Sequence, residues 1–318
     1  MHYLVTGGAG FIGSSLADRL LALGHQVTAF DNFSTGLEPF VAQARKNPNY
    51  RMVTGDLLDE AAIQAAAQGC DFIFHLAANA DVRFGTEQPR RDLEQNTIAT
   101  FHVLEAARLA GVKGVAFSST GSVYGETKAI PTPEDAPFPI QTSLYGASKL
   151  AGEGLLAAYA EGFGLKTYIF RFVSILGPRY THGHVYDFYR KLSADPQALT
   201  VLGDGRQKKS YLHIDDCISA MLTVIEKAEG KVNIFNLGTD EYCEIVNSIG
   251  WICEELGVKP KLSYTGGERG WIGDNPFIYL DTKKIRGLGW KPLFSIEQGV
   301  RNTLNWLKAN DWVYQLRG

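Results

Sequence analysis

Residues 2–13 read HYLVTGGAGFIG. HYLVT is a β-rich apolar run. The glycines at 7, 8, 10 and 13 then form a turn, and FIGSSLADRLLAL continues with apolar residues at helical spacing. Glycine lets a chain turn sharply and bring backbone N–H groups against a pyrophosphate at a helix N-terminus. The next strand, QVTAFD, ends at Asp31 inside FDNFSTG. A carboxylate there accepts hydrogen bonds from a ribose diol and repels a 2′-phosphate, so the expected cofactor is NAD rather than NADP. Strand, glycine turn, helix and acid in this order predict a dinucleotide fold.

Further apolar strands follow as YRMVTGD, DFIFHLAA, GVAFSS and KTYIFRF, with helical segments near Glu60–Gln68, Leu93–Ala110 and Ser143–Gly162. Short apolar strands separated by helices imply an α/β fold, a Rossmann-type doubly wound parallel sheet covered on both faces. Asp56 and residues 75–78 (HLAA) end the third and fourth strands, where such sheets line their cofactor cleft. His75 is expected to be a packed histidine. After Phe172 the alternation breaks. GPRYTHGHV (177–185) reads as irregular and GDGRQKK (203–209) as a polar loop. Asp215–Lys227 reads as a helix, KVNIFNLG as a strand, Glu241–Leu256 as a helix, and Thr282–Arg286 and Ile296–Lys308 as two last helices. The expected organisation is an NAD-binding domain over 1–172, joined by 212–237, with a smaller, interleaved C-terminal substrate lobe over 173–211 and 238–318.

With 31 basic and 34 acidic residues and no basic run, the chain gives no support to nucleic-acid binding. An acidic ligand must be held by local groups. The cysteines 70, 217, 243 and 253 are scattered, without a C-x-x-C pair, so free thiols are expected and no metal site. The chain opens directly on a strand and has no apolar run of membrane length, so the expected compartment is the cytoplasm.

Two further stretches bear on chemistry. LYGASK sets Tyr145 and Lys149 four residues apart at the start of a helical run, hence on one face. A neighbouring ammonium and a nicotinamide cation are expected to lower the phenol's pKa so that it can take a proton from an alcohol. SSTGSVYGE (118–126) crowds hydroxyls at a strand tip and holds back its only carboxylate to the far end.

TGGAGFIG, Asp31, HLAA, SSTGSVYG and Tyr145-x-x-x-Lys149, in that order and spacing, resemble the extended short-chain dehydrogenase/reductase family of nucleotide-sugar enzymes. The resemblance runs from about residue 2 to residue 308 and is closest to the UDP-glucose (UDP-galactose) 4-epimerase branch. It implies Tyr145, Lys149 and Thr120 as catalytic residues. It also implies cofactor contacts from Gly7, Gly10, Phe11, Ile12, Gly13, Asp31, Asn32, Ser34, Thr35, Gly36, Asp56, Leu57, Leu76, Ala77, Ala78, Asn96 and Ser118. Related dehydratases carry an acidic pair after the residue matching Thr120, and related decarboxylases a Glu; here Gly121 and Ser122 stand there. A site that moves one hydride and one alcohol proton, with no second acid–base pair, suits epimerisation at one carbon.

For the substrate, the resemblance implies Thr120, Ser174, Val201 (in TVL, the strip against which uracil packs), Lys209, Arg269 and Asp274; Arg83, expected near the cleft, and Ser122, in the hydroxyl-rich segment, are further candidates. At Ser174 the neutral-hexose 4-epimerases carry Asn and the UDP-glucuronate 4-epimerases Thr, so UDP-glucuronate is the alternative sugar. Ile278 stands where the family gates N-acetyl sugars. A homodimer through helices 93–110 and 143–162 is implied. The competing readings are a ketosugar reductase, which exchangeable NADPH would favour and Asp31 opposes, and a non-catalytic NAD-sensing protein, which typically loses the Tyr or the Lys.

Overall fold

The computed structural model describes residues 1–317 apart from 80–83, 138–139, 271–274 and 276. Strands β1 (His2–Thr6), β2 (Gln26–Asp31), β3 (Tyr50–Thr54), β4 (Phe72–His75), β5 (Gly114–Thr120), β6 (Lys166–Phe172) and β7 (Val232–Leu237) form one seven-stranded sheet. Every ladder is parallel, in the order β3-β2-β1-β4-β5-β6-β7. Helices α1 (Phe11–Ala22), α2 (Glu60–Ala67), α3 (Ala99–Leu109), α4 (Leu144–Phe163) and α5 (Ile214–Lys227) cover it. Leu16 and Leu20 of α1 share a core with Met221 and Val224 of α5. Ile63, Val103, Leu104 and Leu156 of α2, α3 and α4 build the core on the other face. Both faces are therefore dry, which is why the strands read as continuous apolar runs rather than alternating ones.

Local signals set the helix ends. Asp59 caps α2 by accepting Ala62 N–H at 3.1 Å. Ser143 caps α4 by accepting Gly146 N–H at 3.0 Å, and α4 stops at Gly164, where φ is +71°. The order of the strands reverses between β1 and β4, whose ends are paired as Thr6 with His75. The crevice beyond those ends is where doubly wound sheets take ligands.

The short strands after β6 that stay outside the main sheet pair among themselves. Ser174–Leu176 pairs with Tyr211–His213, Ala198–Val201 with Lys261–Tyr264, and Lys208–Lys209 with both Cys243–Glu244 and Phe277–Ile278. The helices His184–Ala194, Ile245–Leu256 and Ile296–Ala309 share a third core through Val185, Leu192, Ile249, Ile252, Val300 and Leu304.

Three sequence expectations need correction. The polar loop 203–209 contains the strand Lys208–Lys209, whose ammonium groups find partners in the fold: Lys208 lies over the Tyr242 and Phe277 rings, and Lys209 reaches a backbone carbonyl. The helix expected over Glu241–Leu256 starts only at Ile245, since Cys243–Glu244 is drawn into that ladder. The helix expected over Leu93–Ala110 opens with a π turn, Leu93–Ile98. There the Thr100 hydroxyl takes the Asn96 carbonyl at 2.5 Å, competing with the helical N–H.

Candidate active site

The glycine turn is built by contacts that leave no room for side chains. Gly7 N–H and Gly8 N–H both donate to Phe30 O, at 2.9 and 3.3 Å, and Gly10 N–H donates to Gly7 O at 3.0 Å. Gly7 has φ +67°, and a Cβ on it would lie 2.8 Å from Ala77 N. A Cβ on Gly13 would lie 2.1 Å from Gly7 O. Gly10 begins α1 with no side-chain cap, so the first N–H groups, those of Phe11, Ile12 and Gly13, are left for an anion.

Asp31 locks this turn to the next loop. Its Oδ2 accepts Ala9 N–H at 2.9 Å and its Oδ1 accepts Phe33 N–H at 2.8 Å. Burial pushes its pKa up, and the two N–H bonds pull it partly back. Gly36 packs close beneath it: a Cβ there would sit 2.9 Å from Asp31 Oδ1. Beside it lies a cavity of about 400 Å³ lined by Asn32, Ser34, Thr35, Asp56 and Ala78, together with Asn79 and parts of 88–95. Asn32 Nδ2 donates to Asp56 Oδ2 at 2.9 Å across its floor. Sequence reasoning missed the wall from Gln88, Arg90, Arg91, Glu94 and Gln95. The sequence signal for it was faint, a charged stretch running into the helix expected over Leu93–Ala110. These features fit a dinucleotide: a Cβ-free cradle, uncapped helix N–H groups, and a diol-accepting carboxylate beside a polar cavity.

Other expected cofactor residues serve the walls. Leu76 N–H and Ala77 N–H bond Thr6, at 3.2 Å to the carbonyl and 3.3 Å to the hydroxyl. Leu57 is buried in the core, and its carbonyl accepts from the His102 ring at 2.8 Å. Asn96 is spent inside the protein. Its Oδ1 accepts Asn79 N–H at 2.8 Å, and its Nδ2 bonds Ser148 Oγ at 2.9 Å and Asp92 Oδ1 at 3.3 Å. It braces the loop after β4 against α4. His75 sits between the hydroxyls of Thr6 and Thr100, at 2.8 and 3.0 Å, and burial draws its pKa down to about 3. It is a packed neutral ring.

Helix α4 delivers the tyrosine and the lysine to the tip of β5. Tyr145 is hydrogen-bonded to the Thr120 side chain. Lys149 Nζ donates to Ser118 O at 2.8 Å and lies 4.6 Å from the centre of the Phe117 ring. The expected lowering of the phenol takes the ammonium together with a nicotinamide cation, and the protein itself supplies the first of the two. Burial dominates and pushes Tyr145 up to about 12, while the same burial draws Lys149 down to about 7. A further cation beside the ring is needed to make the phenol acidic.

Thr120 Oγ1 accepts Ser122 N–H at 3.1 Å, which turns the chain after β5. Gly121 lies under Ile278: a Cβ on it would be 3.1 Å from Ile278 Cγ2. The strand carrying Ile278 is in register with Lys209, so that ladder brings both to the β5 tip. Lys209 Nζ donates to Asn275 O. Arg269 pairs with Glu126, the carboxylate at the end of SSTGSVYGE. Ser174 is exposed. Val201 departs from expectation: its side chain is 1% exposed in the core and its carbonyl accepts Thr265 N–H at 3.1 Å. Strand alternation turns Thr200 and Leu202 outward instead. Arg83 and Asp274 lie outside the described residues.

Residues 3–238 match the model of the NAD dependent epimerase/dehydratase family. The UDP-glucose 4-epimerase of Mycolicibacterium smegmatis is 33% identical over 97% of this chain and 99% of its own. A crystal structure of UDP-galactose 4-epimerase superposes with a TM-score of 0.88 at 36% identity, over 98% of this chain and 100% of that one. The UDP-glucuronic acid 4-epimerase of Bacillus cereus, in complex with UDP-glucuronic acid and NAD, gives 0.88 at 27% identity over 97% and 99%.

Proposed function

Because this chain belongs to the NAD dependent epimerase/dehydratase family, we propose that it is an isomerase that inverts C4 of a nucleotide-diphosphate sugar, interconverting UDP-glucose and UDP-galactose. The observation that carries this reading is the β5 tip. Tyr145 meets Thr120 there, Lys149 stands one helical turn on, and Gly121 and Ser122 occupy the positions that follow. That set can move one alcohol proton and has no second acid–base pair for elimination.

NAD is the cofactor, and when bound it takes up and returns the C4 hydride. In the proposed arrangement Gly7, Gly10 and the α1 N–H groups hold its pyrophosphate and Asp31 its ribose diol. Thr120 and Tyr145 hold the sugar 4-hydroxyl, and Tyr145 removes and later restores its proton. Lys149 supplies positive charge beside the phenol. Its pKa near 7 means that this charge fades as the pH rises through that range. Lys209 and Arg269 neutralise the substrate diphosphate, the pairing of Arg269 with Glu126 giving way to it. We assign 1–172 with 212–237 to the cofactor and 173–211 with 238–318 to the sugar nucleotide. The expected partner is a second copy of the chain. Leu93, Ile98, Phe101, Leu109, Leu144 and Phe163 expose apolar surface on the π turn, α3 and α4, and sedimentation at micromolar concentration tests it. The free thiols of all four cysteines suit the reducing cytoplasm.

One experiment decides the sugar. The protein is incubated separately with UDP-galactose, UDP-glucuronate and UDP-N-acetylglucosamine, and the products are resolved by chromatography. UDP-glucose from UDP-galactose is the expected product; no epimer from any of the three refutes the reading. Conversion of UDP-glucuronate alone would favour the second reading, for which the exposed Ser174 and the hydroxyl-rich Thr120–Ser122 segment speak.

A further inference from the structure

Helix α4 presents Tyr145, Lys149 and Glu153 at four-residue intervals, and each meets a different one of the last three residues of β5. Tyr145 bonds the Thr120 side chain, Lys149 the Ser118 carbonyl, and Glu153 Oε1 accepts the Ser119 hydroxyl. Glu153 is 4% exposed. It is gripped by Arg171 of β6, whose Nε lies 3.0 and 3.3 Å from the two carboxylate oxygens and whose Nη2 lies 2.7 Å from Oε2. Arg171, itself 1% exposed, also donates through Nη1 to Tyr124 Oη at 2.6 Å and to Glu134 O at 2.9 Å. Tyr124 passes the chain on to Asn236 Oδ1 at 2.8 Å, and Asn236 Nδ2 donates to Thr132 O and Asp281 O, at 2.8 and 3.1 Å.

Desolvating two charges costs enough that apolar residues of similar volume often stabilise a fold equally well or better. A buried pair in this position therefore calls for an explanation other than stability. We propose that Glu153 is a positioning residue for the reaction: clamped by Arg171, it fixes the Ser118–Thr120 strand end against the Tyr145–Lys149 face and serves as the fixed counter-charge of Lys149. This rests on the epimerase reading above. The groups facing Lys149 are Asp92 from the turn Pro89–Asp92, Tyr145 and Glu153 from its own helix, the neutral His75 from β4, the Phe117 ring from β5, and Arg171 from β6 behind Glu153. Asp92 and Glu153 oppose the burial that draws Lys149 down. The position of Glu153 is set by its ion pair with Arg171 on a neighbouring strand.

The test compares wild type, Glu153→Gln, Glu153→Asp and the double variant Glu153→Leu with Arg171→Met, all loaded with NAD. Glu153→Gln should lower kcat about tenfold with KM for the sugar nucleotide within about twofold, and move the alkaline limb of the kcat–pH profile about one unit lower. Glu153→Asp should return that limb towards wild type. The double variant removes both charges and so should keep wild-type thermal stability while keeping a limb shifted in the same direction by less, since the Arg171 cation is lost as well. A readout free of activity is the NMR titration of Lys149 in protein carrying 13C-labelled lysine, where Glu153→Gln should lower the midpoint by about one unit. A double variant with wild-type kcat, pH profile and Lys149 midpoint would overturn the proposal and leave the pair as packing. If wild-type protein epimerises none of the three sugar nucleotides, the epimerase reading fails alone, and the Lys149 midpoint still decides whether Glu153 is its counter-charge.

Discussion

Replacing Asp31 by Asn tests whether this carboxylate ties two loops together in addition to facing a ribose. Each of its oxygens holds one backbone N–H, Ala9 at 2.9 Å and Phe33 at 2.8 Å. The substitution is isosteric, but one oxygen becomes an NH₂ group that cannot accept. Whichever way the amide turns, one N–H loses its acceptor at a site only 8% exposed. Removing the charge works the other way, because burial outweighs the two N–H bonds and the folded protein holds the Asp31 proton more tightly than water does. The lost acceptor leaves one buried donor unpaired, about 1–3 kcal/mol before that offset. Denaturant unfolding of NAD-free protein at pH 7, Asp31→Asn against wild type, measures it. A loss within that range supports the lock. A variant within about 0.5 kcal/mol of wild type, the scatter expected of a plain surface substitution, would show that the carboxylate does not pin the two loops and that its only employment is the ligand.

Further outcomes follow from other parts of the site. Tyr145→Phe should lower kcat about 10²–10⁴-fold, the range of a lost general acid–base group, while calorimetry finds NAD affinity unchanged; near-normal turnover refutes the proposed role. Gly13→Ala should cost about 1–3 kcal/mol of overpacking, since the new Cβ meets Gly7 O at 2.1 Å, and should weaken NAD binding in the same titration. His75 has a folded pKa near 3, below its unfolded value of about 6.5, so it contributes stability that is present above pH 6.5 and lost as the pH falls towards 3. Unfolding free energy should accordingly drop by about 1.4 kcal/mol per pH unit more between pH 5.5 and 4.5 in wild type than in His75→Asn; equal slopes would remove His75 from the account.

The sheet was legible because its strands are buried on both faces. A residue such as Ile73 or Val115, wholly inside, must be apolar whatever its neighbours do, so each strand shows as an apolar run with sharp ends. The segments beyond β6 were less legible for the converse reason. Lys208 and Lys209 are charged residues whose sequence advertises a solvated loop, although folded they pair with two strands and Lys208 lies over the Tyr242 and Phe277 rings. Cys243 and Glu244 look like the first turn of the helix that follows, until a ladder partner from far along the chain claims their backbone. Pairings of two residues across such distances carry too little side-chain pattern to be read in advance.

The candidate site divides along the same line. Backbone-built parts are written in residue types that nothing else demands: Gly7 for its positive φ, Gly13 for the space it yields to Gly7 O, Asp31 at a strand end. Parts built by side chains on separate elements are not written that way, because any one of their members has an ordinary explanation. Asn96 passed for a cofactor contact although its amide is consumed in bracing Asn79 and Ser148. Val201 passed for a substrate contact because a motif gives residues and not the face they turn to; one residue either way reverses inside and outside on a strand. Glu153 and Arg171 drew no comment at all, being two charged residues 18 apart on a helix and a strand. Charged side chains are rarely buried unless paired. Folded, however, they lie together under the β5 tip, and burial makes them informative: each answers the other's charge out of water, and the pair sits one helical turn from Lys149.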